Sequence, residues 1–223
     1  MQYLQSRIGK YLDGPVAIDG HPRISGIIDS VNATLAHGEE VRMPKEFYEP
    51  KVREILSRIH MDEWFRGYSE SAEYRKLGVG SLLGNFKDRM VRVARGESQL
   101  KLALYGAHDT TVVGVLASLG AFDDKWPPFT CNIAIELFKG PEMKEIETRA
   151  SKEEGWGWMR RFGGKSKQDE DRALNGYYVR LRYNDNPVVV KGCKAKGRHL
   201  EGDESMCTLV RFAHLGGMLA LKV

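Results

Sequence analysis

The chain has 223 residues, 42% hydrophobic and 29% charged, with 34 Lys and Arg against 30 Asp and Glu for a formal net charge of +4. That balance describes a globular, soluble chain with one sizeable core or a core and a small satellite. The charges are scattered without the dense basic runs that follow a nucleic-acid backbone. The longest apolar stretch, residues 110–121, carries Gly114 and Gly120 and is too short to cross a bilayer, so neither nucleic acid nor a transmembrane span is expected.

Residues 1–10 are charged and helical in period, without the apolar core or cleavage site of a secretory signal, which reads as cytoplasmic for the chain as written. Ile24, Ile27, Ile28, Val31 and Leu35 recur at helical spacing up to a stop at His37-Gly38, and Val52, Ile55, Leu56 and Ile59 repeat the pattern after Pro44 and Pro50. The triplet Asn32-Ala33-Thr34 fits a glycosylation acceptor but falls inside the first of these helices. A third helix is expected over 81–95, with Leu82, Leu83, Phe86 and Met90 inward and Trp64, Phe65, Tyr68 and Tyr74 packing the connection before it. Residues 1–98 therefore read as a helical region.

At Leu100, Leu102 and Leu104 the period changes to two, predicting a buried strand that ends at Gly106. An apolar helix over 110–119 follows, and Ile133, Ile135 and Leu137 mark a second strand, so 99–139 reads strand, helix, strand. Residues 140–176 lose periodicity and predict an exposed loop insertion. Residues 177–183 alternate again, Asn184-Asp185-Asn186-Pro187 is a turn, and Val188, Val189 and Val190 answer as the partner strand, making 177–223 a hairpin and tail. A sheet covered by helices, an α/β architecture, is the expectation. Cys131, Cys193 and Cys207 show no zinc-knuckle spacing, and no metal or cofactor is expected. Cys193 and Cys207 either bridge in an oxidising compartment or stay reduced; both readings are open.

His108-Asp109, just after a predicted strand and at the start of a helix, sits where α/β sheets place ligands and where a helix N-terminus favours an anion. Protonated His108 would donate to a phosphoryl oxygen, and protonated Asp109 would release its proton to a departing alkoxide. From spacing alone the plainer reading stands ahead, with Asp109 capping the helix and His108 bonded in a loop.

The surroundings change that balance. Tyr105-Gly106-Ala107-His108-Asp109-Thr110-Thr111 resembles the second signature of the histidine acid phosphatases, a branch of the phosphoglycerate-mutase-like superfamily. Further resemblance to fungal-type acid phosphatases lies in the segments Asp19 to Gly26, Val31 to Gly38, Glu63 to Tyr68, Tyr178 to Asp185 and Leu200 to Cys207. The resemblance implies a three-layer α/β/α core with a helical cap, and metal-free hydrolysis of small phosphate monoesters through a phosphohistidine. Carried over by motif, Asp109 is the proton donor and His108 a phosphate ligand.

The family's nucleophilic Arg-His-Gly-x-Arg-x-Pro motif is absent from the 223 residues. It would precede the helical region, so relative to the family the chain reads as N-terminally incomplete, and a secretory location is expected if an upstream segment is missing. Ala36-His37-Gly38, Arg198-His199-Leu200 and His21-Pro22-Arg23 are not substitutes, and each reads as a helix end, loop or turn; His214 reads as part of an atypical C-terminus. A general acid without its nucleophile predicts weak activity for the chain alone. It also predicts an uncovered strand edge through which the chain self-associates. The rival reading is a non-catalytic fragment that binds phosphate compounds or a protein partner. A third uses Trp156, Trp158, Arg160, Arg161, Lys165 and Lys167 as a surface-binding loop, although Glu153, Glu154, Asp169, Glu170 and Asp171 offset that charge. Gly163-Gly164-Lys165-Ser166 lacks phosphate-loop order, so nucleotide binding is discounted.

Overall fold

The structure, a computed structural model, describes residues 1–38, 42–140 and 171–219. Helix and strand are both present, in keeping with the α/β class, and the chain divides into two compact units. The first comprises residues 1–70 and 124–126, the second residues 71–123 and 127–223.

Unit one is helical. It holds α1 (Gln2–Ile8), α2 (Ile24–Ala36) and α3 (Pro50–Glu70), joined through two short 3-10 turns. The apolar positions at three- and four-residue spacing are those that pack: Leu4 and Ile8 from α1, Ile24, Ile27, Ile28 and Val31 from α2, and Val52 and Leu56 from α3 form one buried cluster with Val16 and Phe47. Leu35, placed inward by the same periodicity, is instead 40% exposed in the last turn of α2. Its rim is tied by Arg7 to Glu49 and by Lys10 to Glu46, the latter at 2.9 Å. His60 was not anticipated as a core residue. It is 3% exposed, its ring stacks on Trp126 with centroids 3.9 Å apart, and Phe65 meets the same indole at 4.8 Å.

Unit two begins at α4 (Ala72–Ala94), which starts nine residues before the expected helix. Trp64, Phe65 and Tyr68 lie on α3 and Tyr74 on α4, so the anticipated connection shrinks to Ser71. Ser71 explains the boundary, because its Oγ accepts from the Tyr74 N–H at 3.1 Å as a helix N-cap. Two further helices, α5 (Asp109–Leu119) and α6 (Leu209–Leu219), complete this unit with five strands: β1 (Ile133–Lys139), β2 (Tyr177–Tyr183), β3 (Asn186–Val188), β4 (His199–Leu200) and β5 (Asp203–Thr208).

The sheet runs β1-β2-β5-β4, with β3 folded back on β2, and every pairing among the described residues is antiparallel. Register between β1 and β2 runs from Ile133 opposite Tyr183 to Lys139 opposite Tyr177. It places Glu136 opposite Arg180, whose Nε donates to its carboxylate at 2.8 Å. The β2-β3 hairpin keeps the expected turn at Asn184 and Asp185, whose φ of 46° and 66° is the left-handed pair a two-residue turn demands. Its return strand is Asn186–Val188 rather than Val188 to Val190, because the tight turn pairs Asn186 with Tyr183 and Pro187 with Arg182. Packing of α6 on α4 is close at Gly216, where a Cβ would stand 3.2 Å from Lys87 Cβ and 3.4 Å from the Leu83 carbonyl oxygen. Cys193 and Cys207 are joined in a disulfide across a Cα separation of 5.4 Å, and Cys131 is free.

One reading is overturned. Residues 100–105 do not form a buried strand: they lie in an irregular stretch, with Leu102 71% and Leu104 85% exposed. Alternation at a period of two is a local pattern, whereas a strand's hydrogen bonds and its buried face come from a neighbour. Among the described residues no strand pairs with this run. The exposed-loop reading of 140–176, and with it the Trp156 to Lys167 surface, lies for 141–170 outside the described residues.

No helix among the described residues is long and apolar enough to cross a membrane.

Candidate active site around His108 and Asp109

The sequence of α5 explains how it presents its first residues. Val112, Val113, Val115, Leu116 and Leu119 are all buried, so the helix is apolar nearly all round, while its first turn, Asp109 to Thr111, is half-buried and His108 before it is exposed. At the far end Gly120 closes it with φ of 66°, where a Cβ would meet Lys191 Cβ at 2.7 Å. Glycine alone fits both demands.

His108 is the N-cap, extended at φ −95° and ψ 163°, and its carbonyl accepts from the N–H groups of Thr111 and Val112 at 3.0 and 3.1 Å. Its imidazole makes no capping bond and the residue is exposed. Asp109 is the first helical residue, half-buried, with Oδ1 accepting from the Thr110 N–H at 2.7 Å. The backbone therefore caps the helix through His108, one residue earlier than the plainer sequence reading supposed. A carboxylate in the first turn also complements the helix dipole.

Two residues for which the sequence predicts no site role share this neighbourhood. Cys131, two residues before β1, is pushed above the ordinary thiol range by burial and then by the negative charge of Asp109. Tyr183, the last residue of β2, is raised by burial and then by Cys131 and Asp123. Cys131, just ahead of β1, thus lies within electrostatic reach of Asp109. The sequence predicts no site role for either residue, because Cys131 approaches Asp109, and Tyr183 approaches Cys131, only in the folded chain.

The other histidines take structural posts. His37 is the C-cap of α2 and His21 lies in a bend before that helix. His199 Nδ1 lies 2.8 Å from the Cys193 carbonyl oxygen. His214 Nε2 lies 3.2 Å from Asp171 Oδ1. Among the described residues no group of three or more His, Cys, Asp or Glu is placed to hold a metal ion.

A family model for the histidine phosphatase superfamily, branch 2, matches residues 45–184, a span that contains α5 and its His108-Asp109 start. The chain belongs to that superfamily. The chain is 34% identical over 221 residues to a probable acid phosphatase of Schizosaccharomyces pombe, a match covering 92% of this chain and 47% of that protein. It is 38% identical over 124 residues to lysophosphatidic acid phosphatase type 6 of Homo sapiens, covering 53% of this chain and 28% of that protein. With a probable acid phosphatase of Dictyostelium discoideum it shares 25% identity over 199 residues, 86% of this chain and 38% of the relative. The chain thus spans about half the length of the S. pombe relative, and less of the other two.

Proposed function

We propose that the His108-Asp109 turn is the leaving-group side of a phosphomonoesterase site, acting on small phosphate monoesters at acid pH. The observation that carries the proposal is the placement of both residues at the accessible N-terminus of α5, inside the span matched by the superfamily model. In this reading a histidine attacks phosphorus, the ester P–O bond breaks, and Asp109 gives its proton to the departing alkoxide. Water then attacks the phosphohistidine and returns a proton to the Asp109 carboxylate. His108 donates to a phosphoryl oxygen throughout, helped by the positive end of the helix dipole. The attacking histidine belongs to an Arg-His-Gly-x-Arg-x-Pro motif that these 223 residues do not contain, so the reading assigns them ester-oxygen protonation and phosphate binding.

The test is hydrolysis of p-nitrophenyl phosphate across acid pH, by this chain and by any longer product of the same coding sequence, each with an Asp109→Ala counterpart. A longer product that carries the motif and hydrolyses the ester independently of Asp109 defeats the proposal.

A second reading, a fragment that binds a protein partner or a second copy through a strand edge, is favoured by one observation. Leu102 and Leu104 are exposed side by side on an irregular run with no neighbouring strand among the described residues. Light scattering decides it: a strictly monomeric chain up to high concentration speaks against that role.

A further inference from the structure

Residues 95–107 carry the chain from the end of α4 to the His108 turn without helix or strand. From 101 to 107 the backbone makes no hydrogen bond among the described residues. The run is tied instead through the side chain of Tyr105. Its hydroxyl donates to Asn85 Oδ1 at 2.7 Å, and Arg89 Nε donates to the same oxygen at 2.9 Å. The Arg89 guanidinium carbon stands 5.6 Å from the centre of the tyrosine ring, and Phe86 meets that ring edge-on with centroids 5.0 Å apart.

Asn85 and Arg89 are one helical turn apart on α4, so they present one face to the tyrosine. The helix is itself well held: Leu83 is 1% exposed, and α6 presses on it at Gly216. α5 packs against α4 as well. One rigid helix therefore holds both sides of the His108 turn, Tyr105 before it and α5 after it. Only Gly106 and Ala107 lie between Tyr105 and His108, a reach of about 11 Å at 3.8 Å per Cα step.

We propose that Tyr105, gripped by Asn85, Phe86 and Arg89 of α4, is a positioning residue that fixes His108 where it meets phosphate. The inference rests on the phosphate-ester reading of that turn. Without the grip the unbonded run is held only at its two ends, by α4 before it and by the start of α5 after it, and small misplacements of a binding group weaken what it holds.

The experiment measures inorganic phosphate affinity by calorimetry on the full chain, with amide exchange of residues 106–110 in parallel. His108→Ala reports whether phosphate is bound at the turn. Tyr105→Ala is expected to weaken affinity about three- to tenfold, the factor of roughly one net hydrogen bond, and to speed exchange at 106–110 but not in β2. Asn85→Ala should weaken binding in the same direction, and Asn85→Asp, which keeps an acceptor oxygen, should restore it. Tyr105→Phe keeps the ring contacts and decides the matter should the alanine variant unfold. Wild-type binding that Tyr105 and Asn85 substitutions leave unchanged overturns the inference alone. Absence of His108-dependent phosphate binding in the wild type overturns the reading of the site and the inference with it.

Discussion

Reducing the Cys193–Cys207 bond tests how unit two is held together. Cys193 closes a short 3-10 turn, Cys207 lies in β5, and the two are 0% and 1% exposed. Their sequence separation is 14, so the bond denies the unfolded chain the freedom of a loop of that size. The chain-entropy relation for such a loop gives about 10 cal/mol/K, or about 3 kcal/mol at 25 °C. The reduced thiols would still fill the same space as small apolar groups, so no cavity opens and the effect should fall on the unfolded ensemble. With a urea slope of about 1–3 kcal/mol/M, the midpoint should drop by about 1–3 M on reduction. The probe must report unit two. Trp64 and Trp126 both belong to unit one, so amide exchange at Val179, Leu181 and Cys207 is the better readout. Maleimide labelling of the unreduced, urea-unfolded chain should find one thiol, Cys131. Labelling of all three cysteines, or a midpoint shift confined to unit one, would refute the reasoning.

Three other outcomes follow from the same structure. Asp109→Asn removes the negative charge that, after burial, raises the Cys131 thiol, so alkylation of Cys131 by iodoacetamide at fixed pH should quicken; an unchanged rate means the carboxylate is not beside the thiol. Leu104→Lys, at a residue 85% exposed, should change stability by less than about 0.5 kcal/mol and raise solubility, whereas a loss of several kcal/mol in urea unfolding would reinstate the buried strand. Glu46, hydrogen-bonded to Lys10, has its carboxyl lowered to about 2 from an ordinary 4.5. Because the folded value lies below the unfolded one, its stabilisation is complete above about pH 4.5 and is lost as pH falls toward 2. Lys10→Ala should move the Glu46 titration, followed by carbon NMR, back toward 4.5, and no movement would dismiss the pair.

Helices were legible in the sequence because their signal is local. Ile24, Ile27, Ile28 and Val31 repeat at the helical period and are all buried, and the Asn184-Asp185 turn follows from backbone preferences of those two residues. The start of α4 was missed by nine residues because Ala72 to Gly80 carries little apolar periodicity, while its Ser71 cap is a single residue. His108-Asp109 was legible as a motif and as the start of a helix for the same reason, since an N-cap is set by residues adjacent in sequence.

A single stretch of chain therefore settles alone the helical faces, the hairpin turn, the β1 and β2 runs, and the family signature at the start of α5. Tertiary structure decided what needs a partner from afar. It brought Trp126 onto His60, Cys193 to Cys207, Cys131 within reach of Asp109, and Tyr183 within reach of Cys131. It also decided against a strand at Leu100 to Tyr105, whose alternating leucines have the right period. A period fixes which way side chains point, but a strand exists only where another strand supplies its hydrogen bonds and a layer covers its face.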